Sequence, residues 1–246
     1  VLVRTSWEDD AAAKYLGFKG GRAESNHAHM DAGSFVYDSD GMRWALDMGA
    51  EGYSTMEVAF DKNFGGGFWT MTQNSPRWKV FRYNNHQHNT LTVNDKNHNV
   101  KGKGTLLDVY DDNSAKGGKM DLTPVFGGDL KKAERTAVVR DGRYLEITDD
   151  LTAPDGAGAS VRWNMATAAS VKVTPDGILL TQKGITMLLQ ATGADVKYAT
   201  WSANPMDYDS PFKESESKNS GITLCGFTFE VPASSSVKIV TTMVRQ

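Results

Sequence analysis

Short runs of alternating apolar and polar residues, broken by glycine-containing turns, recur along most of the chain. Alternation puts successive side chains on opposite faces of a strand, so each run can bury one face and wet the other. SFVY (34–37) and MRWALD (42–47) flank Asp38-Ser39-Asp40-Gly41 and predict a hairpin. HNTLTV (88–93) runs into the turn composition Asn94-Asp95-Lys96-Asn97. RTAVVR (135–140) and YLEITDDL (144–151) flank Asp141-Gly142, a strong hairpin signal. SVKVT, ILLTQ and ITMLLQAT predict a meander over 170–192, and GFTFEV (226–231) and SVKIVTTMV (236–244) close the chain. Helix signals are scarce. Ser6 is a good cap, with Glu8, Asp9 and Asp10 in the first turn and Ala11 to Ala13 behind it, and this predicts a short helix stopped by Gly17. The pattern predicts an all-β fold: a large antiparallel β-sandwich of stacked sheets with a short N-terminal helix, forming one domain over 1–246.

Composition narrows the function classes. Lys plus Arg is 27 against 30 for Asp plus Glu, a net charge of −3. A nucleic-acid binder needs a clear excess of cations to neutralise phosphates, so no nucleic-acid partner is expected. No apolar run approaches the ~20 residues that span a bilayer, so no membrane partner is expected either. The basic stretch KKAERTAVVRDGR (131–143) reads as a solvated strand face, and KESESKNSG (213–221) as an exposed loop. Cys225 is the only cysteine, which excludes an internal disulfide, and its apolar neighbours predict a core position. The opening VLVRTSWEDD has neither Met nor a signal pattern, which suggests a mature product or a piece of a longer protein.

Four of the five histidines fall in two H-x-H pairs, NHAHMD (26–31) and NHQHNTL (85–91). In an extended chain, residues i and i+2 share a face, so His27, His29 and Asp31 would align, as would His86 and His88. The hairpin brings Asp47, at the end of MRWALD, towards Asp31 and His29. Two imidazoles and a carboxylate suit zinc. The alternation predicts a site of His29, Asp47 and either His86 or His88. His98, in KNHN, reads as solvent-facing in a turn. FGGGFWTMTQNSPRW (64–78) sets Phe64, Phe68, Trp69 and Trp78 around a glycine loop, suited equally to stacking on sugars and to covering a core.

The segments SWEDDAAAKYLGFKGG, NHAHMDAGSFVYDSDGMRWALDMGAEGY and HNTLTVND resemble the β-sheet domain of heparinase II/III-like polysaccharide lyases over residues 6 to 95. The shared pattern is N-H-x-H-x-D-x-G-S-F, then R-W-x-x-D-x-G, then H-N-T-L. The resemblance implies cleavage of an acidic polysaccharide, such as heparin, heparan sulfate or alginate, by β-elimination. It implies that Asn26 neutralises the substrate carboxylate and that His27 is an active-site base or orienting group. It assigns His29, Asp47 and His88 to a structural zinc and gives His86 no role. It also implies a periplasmic or extracellular setting and an upstream α/α toroid that completes the cleft. This chain has no helical toroid, so alone it is expected to be inactive or very weak. Two alternatives are a cupin-like metalloenzyme and a non-catalytic carbohydrate-binding module. Cupins want a Glu a few residues after H-x-H, where this chain has Gly33 and Ser34. If His27 faces substrate and His29 faces metal, residues 26–31 must be irregular rather than a clean strand.

Overall fold

The computed structural model describes residues 1–8 and 11–246. Strands β1 (Leu2–Arg4), β2 (Tyr15–Phe18), β3 (Phe35–Ser39) and β4 (Met42–Ala45) form a four-stranded antiparallel sheet in that order. After helix α1 (Tyr53–Phe64) come β5 (Leu91–Val93), β6 (Thr105–Asp111), β7 (Ala115–Asp121), β8 (Lys132–Arg140) and β9 (Tyr144–Thr152). The remaining strands are β10 (Ala159–Thr167), β11 (Ser170–Thr174), β12 (Gly177–Gln182), β13 (Ile185–Thr192), β14 (Lys197–Ser202), β15 (Thr223–Val231) and β16 (Ser236–Arg245). A second four-stranded sheet has the order β14-β15-β10-β5. An eight-stranded sheet has the order β11-β12-β13-β16-β9-β8-β7-β6. All pairings among the named strands are antiparallel. The all-β expectation therefore holds, as three packed antiparallel sheets.

Turn chemistry sets the registers. Asp40-Gly41 joins Ser39 to Met42, Asp141-Gly142 lies in the β8–β9 turn, and Lys183-Gly184 joins Gln182 to Ile185. All six turn residues have positive φ, the geometry that matches the twist of paired strands. The main core lies between the sheets and includes Trp44, Trp163, Phe35, Phe227 and Cys225, all at most 1% exposed. Cys225 thus sits where the sequence puts it.

A second apolar cluster matters more for function. Met56, Ala59 and Phe60 form the buried face of α1, and they pack with Met30, Phe68, Trp78, Tyr83 and Phe212. Phe60 stacks on Phe212 with ring centroids 4.3 Å apart. Gly65, at φ 71, ends the helix as a left-handed cap. This cluster forms the floor of the irregular segment 19–34. The helix expected near Ser6 falls partly on Asp9 and Asp10, which lie outside the described residues. Its described residues are bends, turns and coil before β2, so the α-helix of this fold lies at 53–64.

The basic stretch 131–143 is not a solvated face throughout. Arg135, on β8, is fully buried. It makes a two-pronged ion pair with Asp149 of β9, with Nε to Oδ1 at 2.7 Å and a terminal nitrogen to Oδ2 at 3.0 Å. Its other terminal nitrogen donates to the carbonyls of Gly33 (2.9 Å) and Asn89 (3.3 Å). Loop 213–221 also departs from expectation. Glu216 and Asn219 are buried, because Glu216 accepts from the Phe81 N–H at 2.7 Å and Asn219 accepts from Arg82 at 2.6 Å.

Candidate active site and metal centre

Residues 26–31 contain no strand, as the division of roles requires. His27 has φ 63, in the left-handed region that non-glycine residues rarely adopt. That single reversal breaks the i, i+2 relation. The exposed His27 ring turns to α1 and the glycine loop, where its Nδ1 lies 3.2 Å from the Tyr53 hydroxyl. Its centroid is 4.9 Å from that of Trp69. His29 turns the other way, to Tyr83 (4.4 Å between centroids) and to His88 (5.3 Å). Asn26 is exposed beside His27.

His88 reaches the same place from the second motif. Asn85–Gln87 is a 3-10 turn capped by the Asn84 side chain, which accepts from the His86 N–H. The turn cancels strand alternation, so His86 and His88 do not share a face. His86 points to Asp95, with Nδ1 3.5 Å from its carboxylate, while His88 is buried against Asp47 and His29. The following residues explain why H-N-T is a useful unit. The buried Asn89 amide donates to the carbonyls of Phe35 and Leu46, and its oxygen accepts from the Ala166 N–H at 2.7 Å. Thr90 donates to the Ala32 carbonyl at 2.6 Å. Together they tie β5 to the β3–β4 hairpin, to β10 and to the end of the histidine segment.

Donor atoms of His29, Asp31 and His88 lie within 4.8 Å of one another. Asp47 meets His88 directly, with Oδ2 2.8 Å from Nδ1, while its Oδ1 accepts from the Gly49 N–H at 2.7 Å. The group whose ligand atoms are close enough to share one ion is thus His29, Asp31 and His88; Asp47, expected as the third ligand, lies outside it and is bonded to His88. Asp31 already has a cation, Lys19 Nζ, at 2.5 Å. Burial pushes the His29 pKa down to about 3, helped by the nearby His88, so its imidazole is neutral at ordinary pH. Burial opposes charge on both His88 and Asp47, yet their mutual attraction wins: His88 titrates above and Asp47 below the usual range. The His88 Nε2 is buried with no hydrogen-bond partner. A neutral imidazole, an orphaned ring nitrogen and nearby carboxylates together fit a bound metal ion.

The aromatic loop divides its work. Phe68 and Trp78 are buried in the second cluster, whereas Phe64 and Trp69 are exposed. Trp69 donates to Glu57 at 2.8 Å and flanks His27. Tyr53 and Arg77 belong to the site but carry no motif. Arg77 is fully buried, lies 4.3 Å from the Tyr83 ring centroid and donates to the carbonyls of Phe68 and Ala28. The apolar spacing Met56, Ala59, Phe60 is the signal that could have placed Tyr53 on a helix beside the site. His98 is buried rather than solvent-facing. Its Nε2 is 2.9 Å from the Leu91 carbonyl, and burial lowers its pKa to about 3.

The heparinase II/III-like C-terminal family matches residues 9–243. The chain belongs to that family. Among solved structures it is similar to a heparinase III gene product, at 19% identity and a TM-score of 0.67, over 100% of this chain and 34% of that one. A second heparinase III aligns at 13% identity and a TM-score of 0.69, over 99% of this chain and 35% of that one. A heparan sulfate lyase from Pedobacter heparinus aligns at 15% identity and a TM-score of 0.65, over 99% of this chain and 34% of that one. The chain thus spans about a third of the length of these structures. No curated protein matches it. With the family shown, the cupin-like alternative falls away.

Proposed function

We propose that this heparinase II/III-like domain is the β-sheet part of a polysaccharide lyase that cleaves uronic-acid-containing glycans by β-elimination. The observation that carries the reading is the reversal at His27. It presents an exposed imidazole to the solvent side, next to Asn26, Tyr53 and Trp69, while His29 two residues on is turned to His88.

In this reading the uronate carboxylate is met by the Asn26 amide, whose donors withdraw charge from it. That makes the neighbouring C–H acidic enough for a base to remove. His27, oriented by the Tyr53 hydroxyl, takes or relays that proton. Trp69 offers a flat apolar face against which a sugar ring can lie. The leaving glycosidic oxygen needs an acid, which an upstream helical domain of the full protein would supply. Deeper in the domain, His29, Asp47 and His88 would hold a zinc ion. Asp47 is favoured over Asp31 because Lys19 already balances Asp31. A bound zinc would cross-link the two histidine segments and so keep His27 in place. A secreted or periplasmic location accompanies an acidic extracellular substrate.

Incubation of the full-length protein with heparan sulfate, heparin and alginate tests the reading. Unsaturated uronate ends, read by ultraviolet absorbance, are expected from at least one of them. His27→Ala should lower kcat at least ~100-fold, the scale of losing one acid–base group. Binding without turnover by wild-type protein would favour a carbohydrate-binding module instead.

A further inference from the structure

Behind the 3-10 turn that carries His86 is a hollow of about 550 Å³ that the proposed elimination does not use. Its wall includes Trp78, Lys79, His86, Gln87, Arg162 and Tyr208. Arg162, on β10, is the odd residue there. Its guanidinium carbon lies 3.8 Å from the Trp201 ring centroid, and one terminal nitrogen donates to Asn164 at 2.8 Å. The Nε is buried and has no hydrogen-bond partner. Among the other shielded arginines, Arg82 and Arg135 meet Glu51 and Asp149, while Arg77 is held by the Phe68 and Ala28 carbonyls and the Tyr83 ring. Arg162 forms no ion pair among the described residues; the carboxylate acting on it is the exposed Asp95 across the hollow. Burial lowers its pKa only to about 10, so it stays charged at neutral pH. Shielding a cation without a counter-ion is unfavourable, and that cost is offset when an anion arrives. A guanidinium with free N–H groups suits a planar or tetrahedral oxyanion.

The rest of the wall narrows the ligand. Lys79 is exposed at the rim and forms no ion pair among the described residues. Gln87 is buried with an orphaned side-chain oxygen, an acceptor ready for a hydroxyl group. Asp95 and Asp209 also line the hollow and oppose an anion, but both are exposed to solvent, and Asp95 lies beside His86. Screening weakens them more than it weakens the shielded Arg162.

We propose that this hollow is a second glycan subsite, in which Arg162 and Lys79 take a sulfate or carboxylate group and Gln87 takes a sugar hydroxyl. The inference rests on the acidic-glycan reading above and extends it to a position outside the His27 centre.

Calorimetric titration tests it with three probes: a sulfated heparin hexasaccharide, an unsulfated uronate-containing hexasaccharide of the same backbone, and neutral maltohexaose. Wild-type protein should bind one or both acidic probes and not the neutral one. Preference between the first two identifies sulfate or carboxylate as the recognised group. Arg162→Gln should weaken acidic-probe binding about tenfold, and Arg162→Lys should restore part of it. Lys79→Gln, at an exposed position that folding does not depend on, should weaken it about threefold. Affinities unchanged within twofold in both Arg162→Gln and Lys79→Gln would overturn the subsite, as would equal binding of maltohexaose or no binding at all. Turnover is scored separately. A lyase whose glycan affinity ignores Arg162 keeps the proposed function and loses the subsite. Arg162-dependent binding without any turnover does the reverse.

Discussion

At the scale of single residues, the site depends on which carboxylate is free. Asp31 and Asp47 both lie near the histidines, but Asp31 already pairs with the Lys19 cation, whereas Asp47 is bonded to His88 and the Gly49 N–H. Elemental analysis of purified protein should therefore show bound zinc, strongly reduced by Asp47→Asn, His29→Ala and His88→Ala. Asp31→Asn should retain most of it. The grouping of these side chains was largely legible in the sequence. NHAHMD, MRWALD and HNTL carry the ligand types at fixed offsets, and the hairpin between the first two brings Asp47 back towards the start of β3. The assignment to His88 rather than His86 was not legible from alternation. A capped 3-10 turn, held by Asn84, intervenes where a strand was expected. Arg135 was legible in principle. It shares its strand phase with Ala133, Ala137 and Val139, and all four point inwards. Its charge argued for the outside and masked that phase. Asp149 has the same parity as Leu145, Ile147 and Leu151, so the pair announces itself only when both strands are read together.

At the scale of elements, helix α1 and loop 213–221 show how tertiary contacts override local polarity. KESESKNSG looks fully solvated, yet Glu51 accepts from both the backbone and the hydroxyl of Ser217. Glu216 inserts beside Phe81 and is 8% exposed. Burial, with the charge of Glu51 adding to it, raises the Glu216 pKa to about 7. In an unfolded chain this group ionises near 4.5. Stability contributed by neutral Glu216 is then full below about pH 4.5 and is lost as pH rises through about 7. Glu216→Gln keeps the acceptor for the Phe81 N–H and removes the ionisation. It should raise the melting temperature at pH 8, by the equivalent of about 1–3 kcal/mol. The difference from wild type should vanish by pH 4. Thermal unfolding followed by circular dichroism across this range checks it. The helix escaped the sequence reading because Gly52 gives it no side-chain cap and no acid sits in its first turn.

At the scale of the whole molecule, the strand pattern and the glycine turns carried the all-β, antiparallel character of the architecture. Of the sixteen strands among the described residues, ten were read from alternation and from Asp-Gly and Lys-Gly turns, while β1, β2, β6, β7, β10 and β14 were not. How the sheets stack was not written locally, since it depends on contacts between distant segments. Arg135 is one such contact. From within the eight-stranded sheet it holds the backbone at Gly33 and at Asn89, one after each histidine segment. A consequence concerns how the molecule opens. With its scaffold tied to the interior of the largest sheet, the histidine centre has no private route to fraying. The Met30 and Ala166 amides, bonded to Tyr83 and Asn89, should exchange with deuterium only when the entire sandwich unfolds. Asp149→Asn leaves the buried guanidinium uncompensated, a change worth roughly 3–5 kcal/mol. It should speed exchange at these amides and in the strands of the eight-stranded sheet by the same factor. Selective release of the two site amides alone would show that the centre breathes independently of the sandwich that carries it.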